Sequence, residues 1–519
     1  MASSDRSQYE KADVAQNEFS VGSVSALPPP SRHGHSRGKD EIDRIDALAT
    51  AEGTTLDSFR HLDEKAILRK MDLRLIPMLS LLYLLSFLDR GNIGNAKIEG
   101  LQEDLGMRSY EYNWCLTAFF FTYAAFEVPS NLLLKKLRPS RVAAHYHGRL
   151  GHGDDADGDC PELPGPFGCA LIPRGLLRHE IQFRQALFFS AASVAGAFSG
   201  LLAFGISKMD GVGNLEGWRW IFILEGIATV IAAFAAFFLL HDFPETAKFL
   251  TEEERAFVVF RLKYQGQSAK LDGTSGRAAQ VAEADEFQWK YVRQAFMDWQ
   301  IWVNIFVYWG IVCPLYGTSL FLPTIIKNLG YTSSTAQLMT VPIYVTAAIL
   351  AVIFAYLSDR AGKRSPFIIP FLCVMIIGFS MCISTDPTKH PRVVYGGVFI
   401  IVCAIYPSFP GNIAWLSNNL AGGYKRSAGM AIQIGVGNLG GAMASNFYRQ
   451  PDSPRYILGH GLELGFVCLG ILAAVILNVS YAAINKRREK KLAEGGEGGF
   501  DSRELSELGD KAYTFRYMH

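Results

Sequence analysis

Asp89 and Arg90 stand side by side near the end of an apolar run, LIPMLSLLYLLSFLDRGNIGNAK at residues 75–97, with Asn92 and Asn95 just beyond them. The run is long enough to cross a hydrocarbon core, which takes about 20 residues. An acid, a base and two amides on its last turns have two readings. In one, the pair ends the helix at the membrane surface and snorkels into headgroups. In the other it faces an interior cavity, where charge is tolerated only against water or a partner. There the planar fork of Arg90 would attract an anionic solute and could bind both oxygens of a carboxylate, while Asp89 holds that solute or takes part in moving a proton. Glu127, inside the next apolar block, is either a second such acid or a satisfied carboxyl beside the bend at Pro129. Glu225 in GWRWIFILEG poses the same choice, with Gly226 beside it favouring close packing.

Other polar side chains recur inside apolar stretches. Tyr316 sits among Gly310, Pro314 and Gly317, the kind of interrupted helix in which transporter sites form near the midplane. Asn418 lies in NIAWLSNN, and Gln433 and Asn438 lie in a stretch whose glycines suit close helix approach. HExxH, GxSxG and Walker patterns are missing from the sequence, so no catalytic residue is assigned and an enzyme is not expected.

These residues need a membrane bundle to position them. The 519-residue chain is 49% hydrophobic with the apolar residues gathered in long blocks, the membrane pattern. A net charge of +1 gives no support to a nucleic-acid partner. The eight cysteines form no CxxC pair and read as packing residues, so no disulfide framework, metal or other cofactor is expected. Ten spans are clear: 75–97, 114–134, 186–206, 218–240, 301–326, 341–357, 367–383, 393–416, 428–447 and 462–483. Basic clusters at Lys135, Lys136, Arg138 and Arg141, at Arg360, Lys363 and Arg364, and at 486–491 put both termini in the cytoplasm by the positive-inside rule. The expected organisation is a disordered N-terminal tail at 1–70, a transmembrane half at 71–241, a cytoplasmic linker at 242–299, a second half at 300–485 and a cytoplasmic tail at 486–519. The last 30 residues, glycine-rich and charged, read as disordered. The N-terminal stretch has no apolar h-region and is not a signal peptide.

The chain resembles the major facilitator superfamily, and within it the fungal anion:cation symporters that include allantoate and nicotinic acid permeases. The resemblance rests on LSFLDRGNIGNAK at 85–97, FEVPSN at 126–131, GWRWIFILEG at 217–226, FPETAKFLTEEER at 243–255, LSDRAGKRSPF at 357–367, NIAWLSNN at 412–419 and KRSAGMAIQIGVGNLGG at 425–441. It implies an all-α bundle of twelve spans in two halves that rock about a central site. It implies import of a small organic anion, such as a carboxylate vitamin or a ureide, together with H+ across the plasma membrane. Asp359, Arg360 and Arg364 match the superfamily's gating motif and would form a charge latch, against the plainer reading of a positive-inside loop.

Residues 142–177 break the pattern. They read VAAHYHGRLGHGDDADGDCPELPGPFGCALIPRGLL and contain no span, although the family places its third and fourth spans there. Both flanks are cytoplasmic by charge, so the interval holds no span or two. We read it as a frameshift with a short deletion. His145, His147, His152, Asp154, Asp155, Asp157, Asp159 and Cys160 offer metal-binding types, but the Gly and Pro among them leave no helix to gather ligands. With two spans lost, a non-transporting nutrient receptor or a defective copy is the alternative to a transporter.

Overall fold

The computed structural model describes residues 59, 61–134, 181–239, 247, 249–263, 289–493, 509–512 and 515–519, all within one compact unit, Ile45–His519. Residues 1–58 and 60 of the expected 1–70 tail, the interrupted segment at 142–177 and most of the linker lie outside the described residues. The expectation of disorder is corrected for 64–70, which form the first turns of the helix Glu64–Ile98 with Ile67 and Leu68 buried. Among the described residues there are thirteen α-helices and no strand. In order they are α1 Glu64–Ile98, α2 Leu101–Asp104, α3 Ser109–Leu134, α4 Ile181–Ile206, α5 Gly217–Leu239, α6 Glu252–Lys263, α7 Trp289–Phe296, α8 Trp299–Lys327, α9 Ser333–Ala361, α10 Ser365–Ser384, α11 Pro391–Asn419, α12 Gly423–Ala444 and α13 Ile457–Ala493.

Ten of these helices fall where the ten spans were expected. Eight are long and apolar enough to cross a membrane by length and composition: α1, α4, α5, α8, α9, α10, α11 and α13. In α12, six glycines with Gln433 and Asn438 dilute the apolar content, and the helix packs against α8 and α3. On α5 the exposed Ile227, Ile231 and Phe234 form an apolar stripe at helical spacing, which only an apolar surrounding can accommodate. The protein is a multi-pass membrane protein.

Helix ends are set locally. Asp63 caps α1 by accepting from the Lys65 and Ala66 amides at 3.0 and 3.3 Å, Asp298 caps α8 through the Gln300 amide, and Thr332 caps α9 through the Thr335 amide. Gly362, with φ of 62°, ends α9 in the left-handed region that glycine adopts without strain. The short connections between α8 and α9 and between α11 and α12 make these packed neighbours antiparallel.

The helices before the 242–299 interval, called the first half below, meet those after it, the second half, through α1 on α8, α3 on α12 and α4 on α9. Among the described residues, hydrogen bonds between them gather toward the end of the bundle that carries Ile98. Lys327 and Ser333 donate to the Ile98 carbonyl at 3.3 and 3.4 Å. Gln337 donates to Glu99 at 3.0 Å, and Asn446 donates to Thr117 at 2.8 Å. At the opposite end, α6 packs Phe257 and Val258 against Ile67 and Met71 of α1, with Lys70 bonded to Glu254 at 2.6 Å.

The expectation of a disordered C-terminal tail is corrected for its described part. α13 continues through the basic cluster to Ala493, and residues 509–512 and 515–519 are packed on the end of the second half that carries Asp359. Asp510 is fully buried and shares Lys425 with Asp298, at 2.5 and 2.6 Å. Tyr517 stacks on Tyr481 with centroids 4.8 Å apart, and Arg488 donates to the Phe515 and Asp510 carbonyls at 2.8 Å each. The sequence pattern hid this contact because glycines and charges read as solvated unless their burial partners, here about a hundred positions away, are known.

Candidate functional site

Between the halves lies a cavity of about 420 Å³. α1 contributes Asp89, Arg90 and Asn95, α3 contributes Phe119 and Phe120, and α4 contributes Gly196, Ser199 and Gly200. From the second half come Tyr316 and Ser319 of α8, Thr340 and Tyr344 of α9, and Tyr406 of α11.

Arg90 is half-buried and its guanidinium is ringed by aromatic side chains, with centroids of Phe87 at 5.3 Å, Phe119 at 5.7 Å and Tyr123 at 5.1 Å. Such rings attract a cation through their negative faces while leaving its hydrogen-bond donors available. One of those donors, Nη1, reaches the Tyr316 hydroxyl at 3.0 Å, and that hydroxyl donates to Asn438 Oδ1 at 3.2 Å. A relay thus runs from the first half to the second, and a small second cavity of about 20 Å³ touches Arg90, Tyr316 and Asn438. Asp89 accepts from Thr229 of α5 at 3.4 Å. Glu225 lies one turn before Thr229, close enough to Asp89 to act on it electrostatically, and is 5% exposed.

The amides of α1 divide. Asn95 lines the cavity and donates to Ser199 at 2.6 Å, and Ser199 donates to Asn92 at 3.3 Å. Asn92 therefore ties α1 to α4 behind the cavity wall. Glu127 lies on α3, with its side chain outside the described residues.

Two of the other expected residues lie elsewhere. Asn418 faces the C-terminal segment, its Nδ2 3.5 Å from Met518 Sδ. Beside it Trp415 and Asn419 donate to the Met518 carbonyl at 2.9 and 3.0 Å. Gln433 is fully buried and donates to Asn304, tying α12 to α8. In the LSDRAGKR loop, Asp359 and the fully buried Arg364 form an ion pair at 2.7 Å, and Arg364 also donates to Ser358 at 3.1 Å. Its backbone amide donates to the His519 carbonyl at 2.6 Å. Arg360 is exposed beside this pair.

Ser199, Thr340, Tyr344 and Tyr406 were not expected at the cavity. The available signal was the small-residue spacing Gly196–Gly200 on α4. A Cβ on Gly196 would stand 2.9 Å from the Tyr344 ring, and one on Gly200 would stand 2.7 Å from the Gln337 carbonyl oxygen. Small residues four apart let two helices approach this closely.

Residues 166–445 match the family model described as Major Facilitator Superfamily. An uncharacterized transporter of Schizosaccharomyces pombe is 34% identical over 471 residues, covering 88% of this chain and 90% of that one. The high-affinity nicotinic acid transporter of Saccharomyces cerevisiae is 32% identical over 508 residues, covering 93% and 91%. Among solved structures, the proton:xylose symporter XylE bound to 6-bromo-6-deoxy-D-glucose aligns with a TM-score of 0.59 at 14% identity, over 78% of this chain and 95% of that one. At that identity the likeness concerns the fold alone.

Proposed function

The chain belongs to the Major Facilitator Superfamily, and from that premise we propose that it is a secondary active transporter of the fungal anion:cation symporter group, importing a small organic anion with protons by alternating access. The observation that carries the reading is Arg90: a guanidinium at a cavity between two halves, held by aromatic rings and by Tyr316 from the opposite half. A carboxylate arriving there can take over the donors of Arg90 that Tyr316 now occupies, so binding changes a contact between the halves. Asp89, in the same cavity with Glu225 behind it, is placed to exchange a proton in step with that change. Asn95 and Ser199 give the solute polar contacts on the first half. Asp359 and Arg364 serve as the latch of the second half.

The positive-inside pattern supports a cytoplasmic Asp359 end and cytoplasmic termini, and the import role proposed above would place the protein in the plasma membrane. Among the described residues, the hydrogen bonds at Ile98, Glu99 and Thr117 then lie on the outer side, which supports a state closed to the outside. A second reading, a non-transporting receptor or a defective copy, is favoured by one feature: the sequence of residues 142–177 has no apolar run of spanning length. The nicotinic acid transporter among the relatives supports a carboxylate as cargo.

The test is uptake of labelled nicotinate, allantoate and other small carboxylates and ureides into proteoliposomes, with and without an inwardly directed proton gradient. Gradient-stimulated uptake of an anion is expected. Arg90→Gln should weaken it by about 10- to 100-fold, the worth of a charge-assisted hydrogen bond of about 1.5–3 kcal/mol. Uptake unchanged in Arg90→Gln, or unresponsive to the gradient in the parent chain, would reject the mechanism.

A further inference from the structure

Glu463 lies on α13 in the apolar stretch LELGFVCLG, fully buried, and among the described residues neither carboxylate oxygen has a hydrogen-bond partner. It takes no part in the site above. Its carboxyl is seated against the backbone of α8 at Gly317, where a Cβ would run into Oε1. Tyr448 closes the other side. Its ring packs on the same glycine and lies 5.2 Å from Phe321, and its hydroxyl is 3.1 Å from His460 Nδ1. The titratable groups around the acid are Cys313 on α8, Tyr448, and His460 one turn earlier on α13, with Cys382 of α10 and Tyr456 beyond Tyr448. Among the described residues no lysine or arginine pairs with it.

A bare carboxylate among apolar groups, without donors, is far costlier than the neutral acid, so a carboxyl in this position takes up a proton. Its neighbour on α8 gives that proton a use. Gly317 follows Tyr316, the residue joined to both Arg90 and Asn438. The helix here carries Pro314 and Pro323 in its interior, each of which removes a backbone donor and eases bending. A bend between Pro314 and Gly317 would move Tyr316 off Arg90 and, in the same motion, lift the Gly317 backbone from Glu463 and admit water.

We propose that Glu463 is a second proton-carrying group, separate from the Asp89 site and located in the other half. It is protonated in this conformation and gives up its proton when α8 bends. In the release step the O–H bond of the carboxyl breaks, its electron pair stays on the carboxylate, and the proton passes to the water admitted beside it. The reverse step restores the neutral acid as α8 closes. This rests on the transport reading, and two measurements separate the two.

The first is infrared spectroscopy of the full chain in lipid nanodiscs at neutral pH. A protonated-carboxyl C=O band is expected in the parent and should be lost in Glu463→Gln. Glu463→Asp, which keeps the acid but shortens it, should shift that band and identifies it if the glutamine variant does not fold. No such band in the parent overturns the proposal. The second is nicotinate and allantoate transport in proteoliposomes. Glu463→Gln should retain exchange of label across the membrane and lose stimulation by the proton gradient. Full gradient stimulation in Glu463→Gln overturns the coupling role. A band in a parent chain that moves neither solute fails the transport reading, and the coupling role with it, while leaving the protonation of Glu463 established.

Discussion

Gly200 shows how a residue with no side chain governs a contact between the halves. A Cβ there would stand 2.7 Å from the Gln337 carbonyl oxygen and 2.5 Å from Thr340 Oγ1, and the carbonyl belongs to the α9 backbone and cannot step aside. Gly205, one and a half turns on, has nothing within 4 Å of the same position. Gly200→Ala is therefore expected to cost about 1–3 kcal/mol by overpacking and to lower the apparent melting temperature in detergent, while Gly205→Ala leaves it unchanged. Equal melting temperatures for the two variants would remove Gly200 from the contact. The same contrast explains which site residues the sequence reveals. Asp89 and Arg90 stand out because charge inside an apolar run has a high cost and needs a reason. Ser199, Thr340 and Tyr344 are ordinary membrane-helix residues whose importance comes only from what α4 and α9 bring together. Asn418 failed the other way: its polarity was read as facing the solute, but it faces Met518.

At the scale of elements, the connections that close the Ile98 end contain a pH-sensitive group. Glu99, just past α1, accepts from Gln337 of α9. Burial raises its carboxyl above the ordinary range, and the Gln337 hydrogen bond and nearby Lys327 only partly offset this. The closed contact therefore binds a proton more tightly than an open one in which Glu99 is in water. Closure is favoured on the acid side and is weakened as pH rises from the ordinary carboxylate range through the raised value. Spin labels on the α1–α3 and α8–α9 connections should report shorter distances at acid pH, and Glu99→Gln should remove that dependence. A pH response that persists in Glu99→Gln would assign it elsewhere. The packed tail makes a separate prediction. Removing residues 509–519 takes one of two carboxylates from buried Lys425 and leaves Trp415 and Asn419 without the Met518 carbonyl. Losing one partner of a buried pair costs about 3–5 kcal/mol, and the remaining Asp298 should hold the loss toward the lower end. The truncated chain should melt several degrees below the parent, and an unchanged melting temperature would mean that the tail contributes no stability. Sequence patterning delivered the ten long helices because each depends on its own apolar run, whereas this contact depends on pairing across the chain.

For the molecule as a whole, the open question is the interval between α3 and α4. α3 begins just after Ile98 and runs to the opposite end of the bundle, and α4 starts at that opposite end, since Gly200 near its finish meets α9 beside the Ile98 contacts. Any crossings between Leu134 and Ile181 must then come in pairs, which agrees with the even count drawn from charge alone. The relatives align over most of this chain and most of their own lengths, so the interval sits within a shared plan, not at the edge of one. A twelve-span plan needs two crossings here, and the residues at 142–177 supply no apolar run. The frameshift reading makes a definite demand on the nucleic acid. Transcript sequence across this interval should contain, in a shifted frame, two apolar stretches each long enough to span, about 20 residues. On the second reading, that of a defective copy, a chain rebuilt on that frame should take up nicotinate or allantoate under a proton gradient and the 519-residue chain with its present 142–177 interval should not, whereas on the transport reading both should. Equal uptake by both would show that the ten helices suffice and that the interval is tolerated. A shifted frame without apolar stretches would reject the frameshift outright and make the missing pair of spans a property of this protein.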